Sequence, residues 1–355
     1  NQNLITLESS VNVYGGSLND KGLSVINTSD GGYAVLGYTQ SSDGDISNKL
    51  NDSFDFWLLK FDANNSLLWN KTYGGFDDDR GNTIIQTRDG GYALLGFSKS
   101  ENGDVSTNNG QNDFWLLKLD FNGSITWEQS FGFSGAESGI SIIQTKDDGY
   151  LLSGILDVTA SGGQGNSKSA FSKRHAGGDY WLIKLSANGT KLWSKFYGGS
   201  FTDTPYDIIQ TKDNTYLIVG SSDSNDVDIS SNKGSYDFWI LKIEETGAII
   251  WEKSFGGSET DEAHAIIDSG DGNFIIVGDT SSKDIDVSNN NGAADLWVIK
   301  IASNGDLIWE KTYGGSNFDV GRSISKTRDG NFLIAGSSRS LDGNLTENKG
   351  QNDAW

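Results

Sequence analysis

One pattern recurs six times along the chain at a spacing of about 58 residues, and a period of that size is the mark of a repeat architecture. Each copy reads W-x-K-x-Y/F-G-G, then x-x-x-D, a β-rich run, T-x-D-G-G-Y, a second β-rich run, a polar loop, and D-F-W-L-L-K-L-D-x-x-G. Trp57, Trp115, Trp181, Trp239, Trp297 and Trp355 mark one position of the repeat. Trp69, Trp127, Trp193, Trp251 and Trp309 mark a second, and together they make up all 11 tryptophans. The copies span approximately 14–69, 73–127, 131–193, 197–251, 255–309 and 313–355, with 1–13 left over.

The second copy shows what one repeat predicts. NTIIQ at 82–86 and YALLG at 92–96 read as strands, joined by a turn at 87–91 whose Asp-Gly and Gly-Gly supply the positive φ of a tight hairpin. After a polar loop at 98–112, DFWLLKLD at 113–120 and SITWEQS at 124–130 read as two more strands around an Asn-Gly turn. Four antiparallel strands per repeat make one propeller blade, and nearly continuous apolar runs fit a sheet packed on both faces. The predicted fold is an all-β, six-bladed β-propeller in a single domain over 1–355. The segment 1–13 aligns with a fourth strand, with Ser10 in the Trp slot, and is expected to close the ring on the last blade. The last repeat stops at Trp355 inside its third strand, so the chain is expected to continue beyond 355.

Composition narrows the function classes. With no cysteine, neither a disulfide framework nor a thiolate-held metal is available. A net charge of -21 argues against nucleic acid and anionic membranes, and favours cations or basic partners. No apolar stretch approaches the length of a membrane span. No helical periodicity follows the Gly-rich turns, so they are not phosphate cradles.

The repeated aromatics read as inter-blade packing, which leaves the loops as candidate sites. Propeller topology puts the long second-to-third loops and the blade-to-blade connections on one face. An acid follows Gly-Gly-x-x-x in every copy: Asp20, Asp79, Glu137, Asp203, Asp261 and Asp319. These six are expected around the channel mouth, either as a cation or basic-ligand ring or as carboxylates that cap backbone N–H groups. The long loops add Asp45, Asp104, Asp228 and Asp286, part of Asp-x-Asp or Asn-Gly-Asp runs. Their oxygen density suits calcium, though the spacing is not an EF-hand; the alternative is Asx-turns without metal. In the third copy Gly-Gly becomes Gly132-Phe133, and the long loop gains eight residues with Lys168, Lys173, Arg174 and His175, a basic finger expected to engage a partner or the acidic face, the alternative being a tolerated surface insertion. His175 and His264 are the only histidines, and no nucleophile, base and acid assemble from the sequence. The acids belong to the repeat consensus, whereas a two-carboxylate glycosidase site should depart from it.

WSKFYGG at 193–199, TRDGGY at 87–92, DFWLLKLD at 113–120 and their copies resemble the β-propeller repeats of secreted and cell-surface Bacteroidota proteins, many of them type IX secretion cargo or surface lipoproteins, and of archaeal surface proteins. The resemblance covers essentially the whole chain. It implies a propeller and an extracellular or outer-surface location, and it does not specify an activity. The repeat is neither the sialidase Asp-box nor the WD repeat. The expected function is a non-enzymatic protein-interaction or adhesion module with an acidic loop face, whose partner is a cell-surface protein or a glycan. The alternative is a carbohydrate-binding or glycoside-cleaving propeller.

Overall fold

A computed structural model describes residues 11–47, 49, 51–165, 175 and 177–355, and among these every regular element is a β-strand. Strands pair with their sequence neighbours, all antiparallel, into consecutive sheets. Blade 1 comprises Asp20–Asn27, Tyr33–Thr39, Asp55–Phe61 and Leu67–Tyr73; blade 2, Asp79–Gln86, Tyr92–Ser98, Asp113–Leu119 and Ile125–Phe131. Blade 3 runs through Ser138–Gln144, Tyr150–Asp157, Gly178–Leu185 and Lys191–Tyr197, and blade 4 through Asp203–Gln210, Tyr216–Ser222, Asp237–Ile243 and Ile249–Phe255. Blade 5 contains Asp261–Asp268, Phe274–Thr280, Asp295–Ile301 and Leu307–Tyr313. Blade 6 shows three strands among the described residues, Asp319–Lys326, Phe332–Ser338 and Asp353–Ala354. First strands of consecutive blades pack on one another, so they are innermost in the propeller. The segment expected to close the ring, 1–10, lies outside the described residues.

The third strand explains the repeat's aromatic pair. Successive side chains of a strand point to opposite faces, so the two residues of Phe-Trp serve different neighbours. Trp115 stands edge-on to Phe56 of blade 1 at 4.8 Å between ring centroids, while Phe114 meets Trp181 of blade 3 at 4.9 Å. Tyr180–Trp239 and Phe238–Trp297 continue the series. Each buried indole also needs an acceptor for its N–H. Trp115, Trp239 and Trp297 donate to Glu128, Glu252 and Glu310 on their own fourth strands, and Trp57 donates to Asn70. Blade 3 has Ser194 at that place, and Trp181 donates instead to the Gly165 carbonyl of the enlarged loop.

The T-x-D-G-G turn and the Lys of W-L-L-K form one unit. Lys118 is buried, yet its Nζ reaches Asp89 Oδ2 at 2.8 Å and donates to the Leu119 carbonyl. The same ion pair joins Lys60 to Asp30, Lys184 to Asp147, Lys242 to Asp213 and Lys300 to Asp271. The Thr28 hydroxyl and the Lys60 ammonium together hold Asp30 down to about 2.

The arrangement leaves two outward faces. Blade 1 presents Val25, 67% exposed, where blade 2 has the buried Ile84; blade 6 presents Leu333, 64% exposed, where blade 2 has the buried Ala93. The first strands of blades 1 and 6 do not pack together as the five consecutive pairs do.

The innermost strands begin at the repeat's acid, or in blade 3 one residue after it; in blade 2 that is Asp79, three residues before the expected start at Asn82. A bulge obscures the alternation there: the register slips by one residue between Gly81 and Thr83, leaving Asn82 unpaired. The corresponding unpaired residues are Leu23, Ile140, Tyr206, His264 and Arg322.

Inter-blade burial of the third-strand Trp predicts a graded series. Trp115→Ala should destabilise the chain by about 3–5 kcal/mol, the usual loss for a large aromatic in a packed core, because Trp115 is fully buried. The half-exposed Trp309→Ala should lose much less. Equal shifts in chemical denaturation would refute this division of labour.

Candidate functional site

Of the two readings of the six repeated acids, an open ring and caps on backbone N–H groups, the geometry has the caps. Asp79, Glu137, Asp203, Asp261 and Asp319 are all fully buried, and only Asp20, at the exposed end, is half-buried. Asp79 Oδ2 accepts Gly75 N–H at 2.8 Å and the Ser100 hydroxyl at 2.8 Å. Asp261 and Asp319 repeat these bonds with Gly257 and Ser282, and with Gly315 and Ser340. The five aspartates lock a blade-to-blade connection to the end of the second strand of their own blade, whereas Glu137 caps only its connection, through Phe133 N–H at 2.9 Å.

A second carboxylate, the Asp that opens the third strand of the preceding blade, faces it across the first Gly of Gly-Gly. A Cβ on Gly74 would lie 2.7 Å from Asp79 Oδ2 and 2.9 Å from Asp55 Oδ1, and one on Gly314 would lie 2.6 Å from Asp295 Oδ1 and 2.7 Å from Asp319 Oδ2. No side chain fits, which accounts for that glycine. Asp113 Oδ1, Asp237 Oδ1 and Asp295 Oδ1 have no hydrogen-bond donor. Burial pushes Asp55, Glu137 and Asp237 up to about 7, and Asp203 up to about 8.

The long-loop acids are likewise engaged with the backbone. Asp45, Asp104, Asp228 and Asp286 accept the N–H of Gly15, Gly74, Gly198 and Gly256 respectively, at 2.9–3.4 Å. In blade 6, Asn344 makes the same bond to Gly314 at 3.0 Å, so the position works without a charge. The four carboxylates stay in four separate loops, and Asp286 is also paired with Lys233. Lys168, Lys173 and Arg174 lie outside the described residues. His175 is not on an exposed finger: it is buried, 2.6 Å from Asp179 Oδ2 through Nδ1, with its ring edge-on to Phe196.

The long-loop face carries something composition did not suggest. Phe76, Phe201 and Phe318 project from the connections, and Val227, Ile285 and Leu341 from the long loops; all are exposed, Phe76 at 71% and Ile285 at 64%. Hydrogen bonds such as Phe76 N–H to Asn102 Oδ1 and Ser316 N–H to Asp342 Oδ1 hold these segments in one layer. Val227 and Ile285 also have φ of 61° and 58°, where the equivalent Gly44, Gly103 and Gly343 have 66°, 69° and 68°. For a β-branched residue that region is strained. Comparing the five loops position by position exposes this signal in the sequence, as glycine giving way to valine and isoleucine.

A second departure lies on the inner wall. Three of the bulge residues, Tyr206, His264 and Arg322, touch one another in consecutive blades. The Tyr206 and His264 rings meet edge-on at 4.9 Å, and Arg322 Nη1 is 2.8 Å from His264 Nε2. Asp279 Oδ1 is 2.9 Å from the same nitrogen. Glu262 stands directly opposite Asp279 across the first and second strands of blade 5. Asp261 is buried in its connection, and the bulge turns His264 toward Asp279 and Arg322, with Glu262 close by.

No family model matches the chain. Regulatory protein FlaEY of Caulobacter vibrioides is 23% identical over 212 residues, which is 56% of this chain and 22% of that protein, so the chain spans about a fifth of the length of this curated relative. Among solved structures, Kuenenia stuttgartiensis hydrazine synthase aligns over 92% of this chain and 76% of its own, with a TM-score of 0.52 and 10% identity. A member of the duf4221 family from Bacteroides vulgatus aligns over 95% and 96%, with a TM-score of 0.41 and 10% identity. The likeness to hydrazine synthase bears on the fold alone.

The buried carboxylates predict an unusual pH dependence. An unfolded carboxyl titrates near 4, so above that pH the folded chain retains protons that the unfolded chain has released. Stability should therefore fall as pH rises from about 4 through about 7–8, with the melting temperature lower at pH 8 than at pH 5. Asp237→Asn should flatten part of that slope. A melting temperature that climbs over this range would contradict the assignment.

Proposed function

We propose that this chain is a non-enzymatic, secreted or cell-surface propeller that binds a protein partner through its long-loop face. The observation that carries this reading is the pair Val227 and Ile285. Each side chain is held in left-handed backbone where glycine suffices in three other blades, and each points into solvent. Placing a residue with a Cβ there costs about 1–2 kcal/mol. Strain without a packing return is a signature of a functional position. Phe76, Phe201 and Phe318 add exposed apolar tips to the same face of an acidic chain, the kind of surface that an apolar, basic protein patch complements.

Exposed phenylalanines on the connections also favour the second reading, a glycan ligand stacked on aromatic faces. An adhesion assay with the immobilised chain against whole cells, run beside a glycan array and a glycosidase screen, separates the two. Adhesion to protease-sensitive sites supports the protein reading. Array binding of a defined sugar replaces it with the glycan reading, and turnover overturns the non-enzymatic assignment.

The strain gives a sharper check. Val227→Gly combined with Ile285→Gly should raise stability by about 1–2 kcal/mol per site while weakening adhesion several-fold. Phe121→Ala, on the opposite face, should leave adhesion unchanged. Adhesion unaffected by the glycine pair would remove the basis for the proposal.

A further inference from the structure

We infer that Glu262, His264 and Asp279 form a binding site for a first-row divalent cation such as zinc on the inner wall of blade 5. The site is independent of the long-loop face, and its failure would leave the adhesion reading intact.

Three observations converge. A ligand atom from each of the three side chains lies within 4.8 Å of the other two, the one such group among the described residues. Next, Glu262 and Asp279 are a directly opposed pair of acids, an unfavourable arrangement unless a cation stands between them. The equivalent pairs are Lys21–Tyr38, Arg80–Phe97, Ser138–Ile155, Thr204–Ser221 and Val320–Ser337, so blade 5 alone places two carboxylates there. The propeller does not need them for its fold.

The third observation is the crowding of charged groups on one imidazole. His264 Nε2 lies 2.9 Å from Asp279 Oδ1, while Arg322 Nη1 lies 2.8 Å from Nε2 and 3.3 Å from Nδ1, against both ring nitrogens. A metal ion would take the place of the guanidinium. The Nε2 lone pair and an Asp279 oxygen both become ligands, and the two carboxylates balance the 2+ charge. Arg322, which is exposed, is then free to turn to solvent. One imidazole with two carboxylates suits zinc, cobalt or manganese, whereas calcium takes oxygen ligands. Tyr206 supports the site by packing against the imidazole ring. The bulge makes it possible, since His264 is released from the ladder and sits in the same strand segment as Glu262.

The test is zinc titration of the full chain after chelator treatment, followed by calorimetry and melting temperature, with cobalt as an absorbing probe. The expected result is about one zinc per chain, a zinc-dependent rise in melting temperature, and cobalt bands characteristic of nitrogen and oxygen ligation. Glu262→Gln with Asp279→Asn should weaken binding at least tenfold, and His264→Gln should do so while keeping the side chain's polarity. Arg322→Ala should bind zinc several-fold more tightly, because it removes the cation competing for Nε2. That last outcome separates a metal site from a purely structural network, in which Arg322→Ala only lowers stability. No zinc binding by the parent chain or by Arg322→Ala overturns the inference, as does binding that survives the Gln/Asn pair.

Discussion

Everything in this molecule depends on the alternation of side chains along the third strand of each blade. A strand sends neighbouring residues to opposite faces, and the Phe-Trp pair uses both. Phe114 belongs to the core shared with blade 3 and Trp115 to the core shared with blade 1. Each blade is thus half of two cores and has none of its own. Stability is a nearest-neighbour property, as in other repeat proteins. The same constraint explains why Val25 and Leu333, on the outward faces of the first and sixth blades, are exposed at positions that are buried elsewhere.

Because neighbouring blades must meet identically, residues common to all repeats are occupied by that task. The acids after Gly-Gly cap the connections, the loop acids hold the glycine N–H groups, and the turn acids pair with buried lysines. Asn344 shows that one of these tasks needs an oxygen and no charge. Gly165 shows another kind of compensation, supplying Trp181 with the acceptor that Glu supplies in three other blades. High acidity in this chain is therefore partly a structural device. Many of its carboxylates are buried or tied to backbone and are not on offer to a ligand.

Function is then best sought where repeats differ. Valine and isoleucine replace glycine at a left-handed position on the loop face. Tyrosine, histidine and arginine occupy three successive bulges on the inner wall, where the other three hold leucine, asparagine and isoleucine. The first departure serves no inter-blade packing, while the second joins blades 4, 5 and 6 through bulge-to-bulge side-chain contacts found at no other bulge among the described residues.

The sequence by itself determined the strands, their order, the blade as a unit and the face on which the long loops gather, because periodic patterning and turn chemistry act locally. It also determined that the third-strand Trp positions of blades 1 to 5 would be core, since an apolar side chain at a fixed register has one place to go. Only the tertiary structure decided that the repeated acids are buried in the connections. That burial depends on where the Gly-Gly amides lie in space. Only the tertiary structure brought Arg322 to His264, 58 residues away, and Asp279 to the same nitrogen. A one-residue bulge sets that meeting, and a bulge comes from strand register, which emerges when neighbouring strands pair.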